Sequence, residues 1–202
     1  MAIEWHCRVN RSFTLREALA HTGVRLAEIL GQSGSPVQVQ AAAATVARRR
    51  GGTGVPASDA KLDERLDPLA DELNDDLDMF FELPECEAGA LISADLFLPG
   101  SEDPESGLFV WVSSQRDPAS QVLAIAATIA LAECGDGEVI DEYGYLSDVR
   151  LNPPAELFER LRVTAPQESL DAAVDAVLAK TRLKRRFPRS DTPPEAPPKG
   201  VA

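Results

Sequence analysis

The residues 62–85, LDERLDPLADELNDDLDMFFELPE, gather Asp63, Glu64, Asp67, Asp71, Glu72, Asp75, Asp76, Asp78, Glu82 and Glu85 around a single Arg65. Carboxylates at this density suit a cation: a metal ion, a proton in acid–base work, or a basic macromolecule. A calcium loop needs alternating oxygen ligands, a central glycine and a distal glutamate. This run has no glycine and sets Phe80-Phe81 where oxygens would be needed, so a metal site is not expected here. DGEVIDE (136–142) is no better, because its acids lie mostly on an expected strand. The two histidines, His6 and His21, show no HxxH or HxxxH spacing for a transition metal. Paired carboxylates for catalysis need one buried member, which a sequence does not display. The remaining readings are surfaces: a solvated acidic face that aids solubility, or an acidic face that docks a basic protein.

Nucleophilic chemistry has one candidate in VSSQRD. Ser113 and Ser114 end an expected strand just before a helix. No GxSxG frames them and no histidine base is evident, while Asp117 suits the helix N-cap. GQSGS and GGTG lack the spacing of phosphate-binding loops. No catalytic, cofactor-binding or metal-binding residue is assigned.

The totals agree with a binding surface. The chain has 202 residues, 44% hydrophobic and 26% charged, with a net charge of -13. That charge repels phosphate backbones and anionic lipid, so neither nucleic acid nor membrane is an expected partner of the body. It attracts cationic proteins and speeds their arrival. Charge is also segregated. From position 180 onward Lys180, Arg182, Lys184, Arg185, Arg186, Arg189 and Lys199 face only Asp191 and Glu195. Cys7, Cys86 and Cys134 are odd in number and far apart, which argues for reduced thiols. MAIEWHCRVNRSF lacks the basic start and apolar core of a signal peptide. The longest apolar run, VLAIAATIALAEC, is short of the roughly 20 residues that span a bilayer. A cytoplasmic protein is expected.

The elements that position these residues follow from periodicity. IEWHCRV reads as a first strand. Thr14 and Glu17 form a capping box for a helix through Ile29 and Leu30, with Gly31 at its end. SPVQVQ is a short strand, or joins AAAATVARRR in a helix. Residues 48–60 read as loop. Leu66, Leu69, Leu73 and Leu77 recur at helical spacing and predict a helix bearing acids on its other face. LDMFFELPE, ALISADLFLP and LFVWVSSQ read as strands, the last apolar on both faces and so central in its sheet. Asp117-Pro118 starts a helix that is apolar nearly all round and must be covered by another helix or a second copy of the chain. EVIDEYGYL is a further strand. Asn152 caps a short helix, and Thr164 with Gln167 caps a final one. The order predicts an α+β fold: a largely antiparallel sheet with helices packed on one face, a ferredoxin-like or related sandwich. Residues 1–187 are expected to form one domain with a flexible insert at about 41–60. Residues 188–202 form a Pro-rich tail expected to be disordered.

The stretch LFVWVSSQRDPASQVLAIAATIALAECGDGEVIDEYGYL, Leu108 to Leu146, resembles the closing half of small α+β immunity proteins of bacterial polymorphic toxin systems. Phe109 to Val112 correspond to the strand, Val122 to Ala132 to the alanine-rich helix, and Gly135-Asp136-Gly137 with Ile140-Asp141-Glu142 to the last element. Secretion-chaperone-like α/β domains share the layout and the acidity. The resemblance covers about a fifth of the chain; the 41–60 insert and the basic tail depart from it. It implies a non-enzymatic protein that captures a basic partner such as a toxin or effector. The candidate contacts are Asp71, Glu72, Asp75, Asp76 and Asp78, with Asp141, Glu142 and Tyr143 as a second group. The alternatives are a small enzyme assembled from Trp5, His6, Ser113, Arg116 and Glu142, and a homo-oligomeric module such as a homodimer.

Overall fold

The computed structural model describes residues 3–32, 36–45, 54–70, 78–97 and 107–183. Strand β1 (Ile3–Val9) is followed by the two-residue β2 (Phe13–Thr14) and helix α1 (Leu15–Ile29). Thr14 accepts from the backbone of Glu17 while the Glu17 carboxylate accepts from the Thr14 backbone, so the expected capping box is present. At the other end Gly31 takes φ +69, its N–H donates to the Glu28 carbonyl, and Gln32 N–H donates to the Ala27 carbonyl. This left-handed turn closes the last carbonyls of the helix, and glycine adopts it without strain.

Next come β3 (Gln40–Ala43), β4 (Val55–Pro56), α2 (Asp59–Leu62) and β5 (Arg65–Leu66). The alternative left open for residues 35–50 is thus decided for 40–43, which pair with a neighbouring strand. The helix expected from Leu66 onward does not form over the described residues. Leu66 is buried in β5 opposite Phe13, and Leu69 is 88% exposed. Pro68 is the physical reason: it disfavours helical backbone at Asp67, whose carboxylate instead accepts the Leu69 N–H. Residues 71–77 lie outside the described residues.

Strands β6 (Met79–Leu83), β7 (Ala88–Phe97) and β8 (Gly107–Ser114) form a meander. Helix α3 (Pro118–Cys134), β9 (Val139–Ile140), β10 (Leu151–Asn152), α4 (Pro154–Leu161) and α5 (Leu170–Ala179) complete the order. Eight of these strands make one sheet, β10-β9-β1-β8-β7-β6-β3-β4, antiparallel throughout. The architecture is therefore the expected α+β arrangement, with helices against one face of an antiparallel sheet. Strand β8 is internal, between β1 and β7, as its apolar faces require.

Helix α3 is the centre of the packing. Asp117 accepts the Ser120 N–H at 2.7 Å and Pro118 occupies the first turn. Every residue from Ser120 to Ala132 is buried. The sheet lies on one side of the helix, α1 on another, and α4 and α5 close over the rest. The cover expected for this helix comes from the chain itself, so its burial creates no need for a second copy. At its end Gly137 passes the β1 backbone so closely that a Cβ there would lie 1.8 Å from the Arg8 carbonyl oxygen.

Three local expectations are corrected. Asn152 does not cap α4; its amide donates to the Val149 carbonyl from within β10, and Pro153 precedes the helix. Helix α5 starts at Leu170, capped by Ser169 rather than Thr164. The strand expected over 138–146 stops at Ile140, because Asp141 opens a turn. Of the expected 41–60 insert, Ala41–Ala43 and Val55–Pro56 belong to the sheet; the proposed tail lies outside the described residues.

Replacing Leu123, wholly buried in α3, with alanine is expected to cost about 2–5 kcal/mol of stability. Replacing Leu69 should change it by less than about 0.5 kcal/mol. Urea unfolding of both variants checks the contrast.

Candidate functional site

The connection from β9 to β10 carries the second group of expected contact residues, and it separates them. Asp141 is 2% exposed. One carboxylate oxygen accepts from Tyr145 N–H at 2.9 Å, and the other accepts from Leu146 and Ser147 N–H at 2.6 and 2.9 Å. Its own N–H donates to the Arg150 carbonyl at 2.8 Å. Asp141 is thus the inner post of the loop, its carboxylate engaged by backbone N–H groups. A buried carboxylate is stable only when so satisfied. Gly144 completes the turn at φ +63.

With Asp141 turned inward, Glu142 and Tyr143 face solvent. Tyr143 is 56% exposed and stacks on Tyr145, with ring centroids 5.5 Å apart. Tyr145 in turn meets Trp5 edge-on at 6.5 Å. The two tyrosines therefore have different roles: Tyr145 packs against the core and supports Tyr143 at the surface. Val149 and Leu151 are also exposed, at 57% and 50%. The strip is interleaved with charge from Glu142, Asp148 and Arg150, all exposed.

Glu142 links this strip to the sheet. Its Oε1 lies 3.3 Å from Arg150 and 3.7 Å from His6 Nε2. His6 is nearly buried on the sheet face opposite the helices, with its ring 4.3 Å from Trp111 and edge-on to Phe109 at 6.4 Å. Burial lowers the His6 pKa below its ordinary 6.5 and Arg150 adds to this; the carboxylates of Glu142 and Glu4 oppose it. The ring is therefore held neutral near pH 7.

Of the first group, only Asp78 is described. It is half-buried immediately before β6. Asp71, Glu72, Asp75 and Asp76 lie outside the described residues. At the start of the run Asp63, and just before it Asp59, pair with Arg16 at 2.6 and 2.8 Å, which ties α2 to the start of α1.

The residues of the enzyme alternative do not converge as a set. Trp5 is buried on the helix side of β1, while His6 points to the opposite face. Ser113 sits 3.4 Å from Glu4, and Arg116 is exposed beyond the strand. His6 and Glu142 do meet, at 3.7 Å.

A different constellation was missed from the sequence. His21 and Arg25, one turn apart on α1, both reach Glu133 near the end of α3, each at 2.6 Å. Burial pushes the Glu133 carboxyl up, but the hydrogen bonds from His21 and Arg25 outweigh it and hold it below its ordinary value. Arg25 also lies over the Phe158 ring at 4.6 Å. An open cleft of about 750 Å³ runs past His21 and Glu133, lined also by Arg11, Phe13, Glu17 and Cys134. Burial, with help from nearby carboxylates, pushes the Cys134 thiol up to about 11, so it is protonated and a poor nucleophile at neutral pH. The clue in the sequence was Glu133 itself: an acid in an otherwise apolar helix requires a cation beside it.

All three cysteines are free. Among the described residues no group of three or more His, Cys, Asp or Glu is placed to hold a metal ion, and no helix is long and apolar enough to cross a membrane. Comparison of the chain with protein-family models, with curated proteins and with solved structures finds no match.

The depressed pKa of His6 makes a signed prediction. The unfolded chain takes up the histidine proton more readily than the folded one, so the His6 contribution is full above pH 6.5 and declines as pH falls below it. Between pH 7.5 and 5, wild type should lose more unfolding free energy than His6→Gln. Parallel pH profiles for the two would contradict the assignment.

Proposed function

We propose that this chain is a non-enzymatic, acidic binding protein that captures a basic protein partner, in the manner of an immunity protein or a secretion chaperone. The observation that carries the reading is the exposed strip of the β9–β10 connection: Tyr143, Val149 and Leu151 stand out from the surface with Glu142 and Asp148 among them. Tyrosine is among the residues enriched at interface hot spots. The strip is held from beneath by Asp141 and Tyr145, which lowers the ordering cost of binding. The net charge of -13 supplies long-range attraction for a cationic macromolecule.

The sheet edges favour a face-on partner over strand addition. One edge strand contains Pro56, and the other runs directly into Pro153 and Pro154. Proline donates no ladder hydrogen bond and blunts an edge against pairing.

A second reading, a small enzyme, is favoured by the cleft beside His21 and Glu133. A carboxylate that orients an imidazole is a recurrent part of general-base sites. The same geometry serves equally as an ion-pair brace between α1 and α3, with Arg25 as its third member.

Affinity capture from the native host, with recovered proteins identified by mass spectrometry, separates the two. The binding reading expects a basic protein whose affinity falls by about tenfold or more in Tyr143→Ala, the loss typical of a hot-spot residue. Asp71→Asn/Asp75→Asn/Asp76→Asn should flatten the salt dependence of that interaction. Small-molecule turnover abolished by His21→Ala, with no partner lost in Tyr143→Ala, would establish the enzyme instead.

A further inference from the structure

The last described turn of the chain meets the rim of the same strip. After α5, the Arg182 backbone N–H donates to the Tyr145 carbonyl at 2.8 Å, and its guanidinium pairs with Asp148. Leu183 is buried at 2%, which fixes the point of departure. The following residues are Lys184, Arg185, Arg186, Phe187, Pro188 and Arg189. A cationic segment with an aromatic and a proline therefore follows shortly after Arg182, which contacts Tyr145 and Asp148 of this connection. Six residues reach at most about 20 Å when extended, enough to cover a loop that Arg182 already touches. Arg182 itself belongs to the basic series and already pairs with Asp148 of the loop.

We propose that the chain's own segment 184–189 docks on the strip formed by Glu142, Tyr143, Asp148 and Val149, and competes there with the cationic partner. The inference rests on the reading of that strip as a cation-binding surface, and it adds regulation. Charge complementarity selects this occupant over a second copy of the chain, whose net charge of -13 would be repelled. Tethering sets the local concentration of the segment in the millimolar range. A weak contact then suffices to occupy the strip until a stronger basic ligand displaces it.

The test uses the full-length chain and a variant carrying Lys184→Gln, Arg185→Gln, Arg186→Gln and Arg189→Gln. Amide chemical shifts of residues 142–149 should differ between the two at low salt and converge at high salt. A synthetic peptide of residues 184–199 added to the variant should move those amides back toward wild type, and should fail to do so in a variant that also carries Tyr143→Ala and Asp148→Asn. Identical low-salt shifts in the two chains, or a peptide that leaves residues 142–149 unmoved, would overturn the proposal. A second arm uses oligolysine as the probe. The quadruple variant should bind it about threefold to tenfold more tightly than wild type, as removal of a tethered competitor predicts. Equal binding by both chains overturns the competition and leaves the cation-binding reading standing. Absence of binding to either chain counts against that reading, and the peptide shifts then decide the docking of the segment alone.

Discussion

Everything in this fold is arranged around the need to hide helix α3 from water. Its residues from Ser120 to Ala132 are buried on all sides, so no single layer can cover it. The sheet takes one side, and three further helices must be recruited to the others. Each wholly buried aliphatic side chain on α3 contributes roughly 1.5–3 kcal/mol relative to exposure. That sum makes the position of the helix non-negotiable, and it sets where the chain must turn at each end. At the C-terminal end the turn through Gly135 and Gly137 runs against β1. The β9 strand, the Asp141 post and the outward Tyr143 follow from that placement.

The same constraint explains the lone acid of the helix. Glu133 sits where α3 emerges from its cover, and His21 and Arg25 of α1 meet it there. The network braces the two helices near the C-terminal end of α3. The cleft beside it is a consequence of that exit. In the β9–β10 connection the polar work is done by Asp141, which satisfies three backbone N–H groups and stiffens the loop that displays Glu142 and Tyr143. One carboxylate shapes the interior junction and the other shapes the surface.

The parts of this arrangement that were legible in the sequence had local signals. Thr14 with Glu17, Gly31, and Asp117-Pro118 mark helix ends through their own backbone chemistry, and the two-faced apolar pattern of Leu108–Ser114 marks a central strand. The failures had signals that competed. Leucines at helical spacing from Leu66 to Leu77 outweighed Pro68 in the reading, yet the proline decided the backbone at Asp67. Thr164 and Gln167 matched a capping box, while Ser169 lay nearer to the apolar stripe that α5 buries. Within the site, Glu142 and Tyr143 were recognisable by residue type. The inward use of Asp141 was not, because a carboxylate that accepts from backbone N–H groups leaves no periodic trace. His21 and Glu133 are 112 residues apart, and only the folded helices bring them together.

The central claim is that the molecule acts through a displayed surface, with the Tyr143 strip as the anchor and the acidic charge as the attractor. Hydrogen–deuterium exchange of the full chain, alone and bound to the partner captured from its host, tests it most directly. Slowed exchange on binding at residues 141–151, extending into the acidic run at 62–85, is the predicted result. Protection confined to the walls of the His21–Glu133 cleft, with 141–151 unchanged, would contradict it.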